Sequence, residues 1–195
     1  MKKLLTFIVA LVMSLGLAVG LTACGNKEGS TTGGGGGEDV VLTLTRETLF
    51  PGLSGTSYAT YNGSHTVGSY TVTTTDVLGN TTLGGTNEDF SVMQFKKSSG
   101  VLSVAGTFKK IVLVVESSYS YDSTKVMSIY AGSTKLTGNL TDTKDTGLKN
   151  TNSSGSYAVS LFTIEFTVTG TGSQTISLKN ETGNAIYLSE IQFKA

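Results

Sequence analysis

One histidine, one cysteine and 14 carboxylates are what this chain of 195 residues brings to chemistry. His65 is the single side chain whose ordinary pKa makes it a general base near neutral pH. Ser64 precedes it directly, but neighbours on an extended strand point to opposite faces. A hydrolytic triad needs base and nucleophile in hydrogen-bond reach, with an acid behind them, so Ser64 and His65 do not make one. A hydrolase built on paired carboxylates has Asp89, Glu116, Asp122 and Glu165 to draw on, with no spacing that joins any two. The tyrosines carry a stronger pattern. Tyr119 and Tyr121 lie two apart, so in extended backbone they share a face, with Glu116 and Asp122 close by. A tyrosine ring offers an apolar face for stacking and a polar tip, and carboxylates accept hydrogen bonds from sugar hydroxyls. Tyr58 and Tyr61, flanked by Asn62 and His65, form a second such segment. Calcium needs six to eight oxygen ligands. Neither Asp142 with Asp145 nor Asn87-Glu88-Asp89 has the fixed spacing of a calcium loop.

The composition excludes several classes. Fourteen basic residues balance fourteen acidic ones, and 38% of residues are hydrophobic, so charge repulsion does not keep the chain unfolded. A single Cys leaves no disulfide framework and no thiolate metal site. No basic patch is present for nucleic acid. That Cys has a telling position. Met1-Lys2-Lys3 is a short positive segment, Leu4 to Leu21 is an apolar run, and Leu21-Thr22-Ala23-Cys24 closes it. Secretory leaders have this order of charge, apolar run and small residues.

Leu-Thr-Ala-Cys resembles the lipobox of bacterial lipoproteins. The resemblance implies a signal peptide over residues 1–23, cleavage before Cys24, and a diacylglycerol on the Cys24 sulfur. Two acyl chains suffice for stable anchoring. The implied location is the extracytoplasmic face of a bacterial cell membrane, with the membrane as first partner. Loss of Lys2 and Lys3 would leave 12 basic against 14 acidic residues, which argues against electrostatic adhesion to anionic lipid.

Residues 24–38 hold the lipidated Cys and a linker with five consecutive glycines, Gly33 to Gly37, a composition that behaves as flexible coil. From residue 39 to residue 195 the apolar residues recur with period two. Leu42 and Leu44 share a face. So do Met127 and Ile129, the set Phe162, Ile164, Phe166 and Val168, and the pair Ile176 and Leu178. Phe108 to Glu116 is almost wholly apolar, as a central strand would be. In the last run, Tyr187, Ile191 and Phe193 fall on one face and Ile186 and Leu188 on the other, which assigns Tyr187 to the core. Gly and Asn clusters separate the runs and supply turn conformations. The polar stretch Leu140 to Ser156 reads as a long exposed loop. No segment has the pattern of a long capped helix. The expectation is an all-β fold, an antiparallel β-sandwich.

FSVMQFKKSSGVLSV, GTFKKIVLVV, VMSIYAGS and GNAIYLSEIQF together resemble the jelly-roll accessory domains of secreted and lipid-anchored bacterial proteins, which are similar to carbohydrate-binding modules. The resemblance spans roughly Thr66 to Ala195. It implies a jelly-roll-like sandwich and a non-catalytic binding module, for glycan or for a surface protein. It also allows a structural calcium ion at no assignable position, and no other cofactor. Such modules stack sugars on Trp or Tyr. With no Trp in the chain, the platform falls to Tyr119 and Tyr121 first, then Tyr58 and Tyr61. The alternatives are a small hydrolase of cell-wall or extracellular polymer and a purely protein-binding surface domain.

Overall fold

The computed structural model describes residues 39–53, 59–80, 91–118, 120–152 and 155–195. All of them belong to one compact unit, Gly37–Ala195. The period-two runs become strands: β1 (Val40–Leu44), β2 (Ala59–Val67), β3 (Tyr70–Asn80), β4 (Val92–Phe95), β5 (Val101–Gly106) and β6 (Lys110–Ser117). After a 3-10 turn at Ser123–Lys125 come β7 (Ser128–Ala131), β8 (Thr134–Lys135), β9 (Gly138–Asn152), β10 (Gly155–Thr167), β11 (Gln174–Lys179) and β12 (Ile186–Lys194). The fold is all-β, as the sequence predicts. Its one α-helix among the described residues is the single turn α1 (Arg46–Leu49). There the Thr45 side chain accepts from the Thr48 amide and the Thr48 side chain accepts from the Thr45 amide, a capping box that satisfies two otherwise orphaned donors.

Every strand pairing among the described residues is antiparallel; ten strands follow one hydrogen-bonded path, β8-β7-β11-β5-β3-β4-β12-β6-β10-β9, while β1 pairs with β12 and β2 with β3 off it. The path curls into two layers because β3 changes partners partway along. Val72–Thr75 pairs with β5, and Val77–Asn80 pairs with β4. Between them β3 carries a bulge, Thr75 and Asp76 standing against the single residue Asn62 of β2, and Asp76 adopts φ 51°. Such a bulge bends the strand and lets it cross from one sheet to the next. The Asn62 side chain accepts from the Asp76 amide at 2.7 Å, and Lys96 pairs with the Asp76 carboxylate at 3.2 Å. These contacts hold the corner. One continuous core lies between the layers. Val72, Leu102, Ile129, Ile176 and Leu178 enter from the first; Phe95, Leu113, Ile164, Ile191 and Phe193 enter from the second.

The structure corrects two expectations. Leu140 to Ser156 is not a loop: it forms most of a long hairpin, with β9 pairing β10 from Gly138 against Phe166 to Asn152 against Gly155. Polar residues suit β9 because it is the last strand of the path and most of its side chains meet water. The alternation in β12 also breaks. A bulge between Leu188 and Glu190 adds a residue, so Ile186, Leu188, Ile191 and Phe193 all reach the core. Tyr187 is thereby turned to the opposite face.

Candidate functional site

The central strand β6 has two faces with different fates. Ile111, Leu113 and Val115 point into the core, so Val112, Val114 and Glu116 lie on the other side of the sheet. Glu116 stands in register with Tyr187 on β12 and with Leu161 on β10. Side chains paired this way across antiparallel strands lie about 4.5–5.5 Å apart at Cβ. The bulge that expels Tyr187 from the core therefore sets it beside Glu116.

Where β6 ends and β12 begins, the strand ends surround a cleft of about 490 Å³. Glu116, Ser118, Tyr121, Asp122, Asn150 and Tyr187 are among its lining residues. Glu116 is only 8% exposed and Asn150 only 7%. Asn150 donates through Nδ2 to Ser118 Oγ at 2.8 Å. Its Oδ1 and the Oε2 of Glu116 are buried without a hydrogen-bond partner. Two orphaned acceptors in one cleft are uncommon, because a buried polar atom left unpaired costs about 1–3 kcal/mol. Burial pushes the Glu116 carboxyl up to about 7, since no ion pair among the described residues offsets the loss of water around its charge.

The other carboxylate in the cleft has the opposite environment. Asp122 Oδ1 accepts from the Thr124 amide at 2.9 Å and from its hydroxyl at 2.7 Å, and Lys125 Nζ lies 3.2 Å from Oδ2. These bonds, the Thr124 hydroxyl foremost, hold its pKa down to about 2. Asp122 is thus a fixed cap for the 3-10 turn. Lys125, the one cation among the described residues that line the cleft, is occupied by it.

Of the tyrosines singled out from sequence, Tyr58 and Tyr119 lie outside the described residues, as does Cys24. Tyr121 lines the cleft, but it is half-buried, with its ring 5.7 Å from that of Phe162. Tyr61 is exposed on β2 and sits elsewhere, its ring 4.0 Å from His65 and 6.0 Å from Phe50. His65 serves that cluster. Thr74 Oγ1 donates to the Tyr61 carbonyl at 3.2 Å, so it accepts from His65 Nε2, also at 3.2 Å. Burial lowers the His65 pKa below its ordinary value. Ser64 bonds Thr73 instead, and no Ser–His pair forms. Asp142 and Asp145 turn to local amides, Thr143 and Gly147. Among the described residues no cluster of three His, Cys, Asp or Glu side chains is placed to hold a metal.

A second polar surface is already saturated. Tyr130 donates to Glu181 at 2.9 Å, Lys135 pairs with Glu181 at 3.3 Å, and Lys179 Nζ lies 4.9 Å from the Tyr130 ring centre. The cleft at Glu116 differs in leaving acceptors open. Sequence reasoning reaches Glu116, Tyr121 and Asp122 and misses Asn150 and Tyr187. No family model, curated protein or solved structure matches this chain, and the cleft's own donors and acceptors carry its functional reading.

Proposed function

We propose that this protein is a lipid-anchored extracytoplasmic lipoprotein whose β-domain is a non-catalytic carbohydrate-binding module. The single observation that carries the binding reading is the cleft that joins two orphaned acceptors, Glu116 Oε2 and Asn150 Oδ1, to two tyrosines. Ligands with several hydrogen-bond donors and an apolar face answer such a site, and sugars have both. Anchoring through diacylglyceryl-Cys24 rests on the Leu-Thr-Ala-Cys ending of the leader.

The raised pKa of Glu116 would also suit a general acid in a hydrolase. Glycoside hydrolysis needs a second carboxylate, free to act as base or nucleophile. Asp122, the other acid among the described residues that line the cleft, is held by Thr124 and Lys125. That arrangement favours binding over turnover.

A glycan array probed with residues 25–195, which keep every described strand and the whole core, tests the binding reading. A hit should weaken at least about tenfold when Asn150→Ala or Tyr187→Ala is introduced, the loss of about 1.4 kcal/mol. A hit that both variants bind unchanged would refute this cleft. No hit at all would make a surface protein the better partner, and release of reducing ends from any bound polymer would restore the hydrolase. Anchoring is tested by intact mass of the membrane-extracted protein. Loss of residues 1–23 and gain of acyl mass are expected, and Cys24→Ala should leave the precursor uncut.

A further inference from the structure

We infer that the cleft selects glycans carrying a free amino group, with the sugar's ammonium seated on the Glu116 carboxylate beside Tyr187 and Asn150. This rests on the carbohydrate reading and narrows it from sugars in general to amino sugars.

What the cleft lacks among the described residues is a free positive charge. Glu116 is nine-tenths buried with Oε2 unpartnered, and no ion pair among the described residues reaches it. A sugar hydroxyl would fill the lone pair of Oε2, but it would not answer the desolvated charge. An ammonium does both: it donates up to three hydrogen bonds and brings the absent positive charge. Its spare donors suit Asn150 Oδ1, the second orphaned acceptor lining the same cleft. The cross-strand neighbour Tyr187 adds an aromatic side chain, the class that attracts cations.

The charged and titratable groups around Glu116 agree. From β12 come Tyr187 and, in register with Val114 on the same face, Glu190, which accepts from Gln192. The β10 neighbour is the uncharged Leu161. From β9 comes Lys144, exposed, in register with Leu161 and so a second strand away from Glu116. The segment after β6 supplies Tyr121, Asp122 and Lys125, the last two tied to each other. Among the described residues the cleft therefore has no cation free to receive an acidic sugar. The group left without a counter-charge is the Glu116 carboxyl, which an ammonium would favour in its ionised form.

The experiment is calorimetric titration of residues 25–195, near pH 6.5, with three hexasaccharides. One is β-1,4-linked glucosamine, one its fully N-acetylated counterpart and one the cellulose hexamer. The glucosamine hexamer should bind at least about tenfold more tightly than either neutral one, and Glu116→Gln should abolish that preference. A second readout avoids the variant. In carboxyl-carbon NMR of the wild-type chain, the glucosamine hexamer should lower the Glu116 midpoint by about one pH unit or more, the same tenfold factor, and the neutral hexamers should not. If a neutral hexamer binds as well as the glucosamine hexamer, the amino-sugar inference fails and the carbohydrate reading stands. If the preference survives in Glu116→Gln with the NMR midpoint unmoved, the ammonium sits elsewhere and the inference also fails. If none of the three binds and a glycan array is blank too, the carbohydrate reading falls and takes this inference with it.

Discussion

Replacing Glu116 by Gln should flatten one part of the pH dependence of stability. Burial raises the Glu116 pKa from an ordinary 4.5 to about 7. The folded state thus holds a proton that the unfolded chain releases at lower pH. For an acid shifted upward, folding is unhindered below about pH 4.5, loses stability as pH rises through the window between 4.5 and 7, and loses no more above it. At about 1.4 kcal/mol per unit, the full loss is about 3 kcal/mol, a large share of the 5–15 kcal/mol typical of a domain. Gln has the same shape and no charge, but its buried amide also lacks partners, at about 1–3 kcal/mol. That second cost does not vary with pH. The quantity to measure is therefore the stability of wild type minus that of Glu116→Gln, by urea unfolding at intervals from pH 4 to pH 8.5. It should fall by about 3 kcal/mol across the series, mostly between pH 5 and 7. Asp122, whose lowered pKa stabilises the fold above its ordinary range and ceases to do so as pH falls towards 2, acts equally in both proteins and cancels. Parallel curves for the two proteins would refute the claim that Glu116 is buried without a counter-charge.

Four further outcomes follow from local geometry. Asn180, 2% exposed, donates to the carbonyls of Phe95 and Asn184 and accepts from the amide and hydroxyl of Thr182; Asn180→Ala should cost about 2–4 kcal/mol in urea unfolding, and a loss under about 1 kcal/mol would contradict this network. At Gly100 an added Cβ would stand 2.7 Å from the Lys96 amide nitrogen and 2.8 Å from Phe95 Cβ, so Gly100→Ala should lower stability by about 1–3 kcal/mol. Gly183→Ala, where the Cβ meets open space, should stay within about 0.5 kcal/mol in the same assay. Thr74→Val removes the hydroxyl that joins Tyr61 and His65; it should cost about 1–3 kcal/mol, and an unshifted unfolding midpoint would mean that the Thr74 bridge carries no stability.

Strand positions were legible wherever one face of a strand is apolar, because a two-residue period is a direct consequence of the pleat. Phe162, Ile164 and Phe166 declare β10, and Leu42 and Leu44 declare β1. β9 was illegible for the converse reason. With most of its side chains exposed, its sequence carries no apolar alternation, and what makes it a strand is the backbone pairing supplied by β10, eleven residues in register. The short helix α1 was illegible for a related reason. One turn spanning Arg46–Leu49 is too short to show a period, and only the reciprocal Thr45–Thr48 bonds mark it.

The site was less legible than the fold because it depends on a phase error. Counting by twos from Phe193 puts Tyr187 in the core. The one added residue at Ser189, whose hydroxyl donates to the Val114 carbonyl at 3.3 Å, reverses everything upstream of it. A bulge has no side-chain signature here, and a one-residue slip flips each side chain to the other face. Asn150 was hidden with β9, since a residue read as part of a loop has no face to assign. Glu116 is the instructive case. It ends the apolar run FKKIVLVVE, so composition places it at a strand terminus, where a carboxylate normally meets water. What keeps water away is tertiary: Tyr187 in register beside it and Asn150 brought round on the hairpin. The charge of Glu116 is written in the sequence, but its isolation comes from two strands whose phase the sequence conceals, and that isolation is what gives the cleft its demand for a donor.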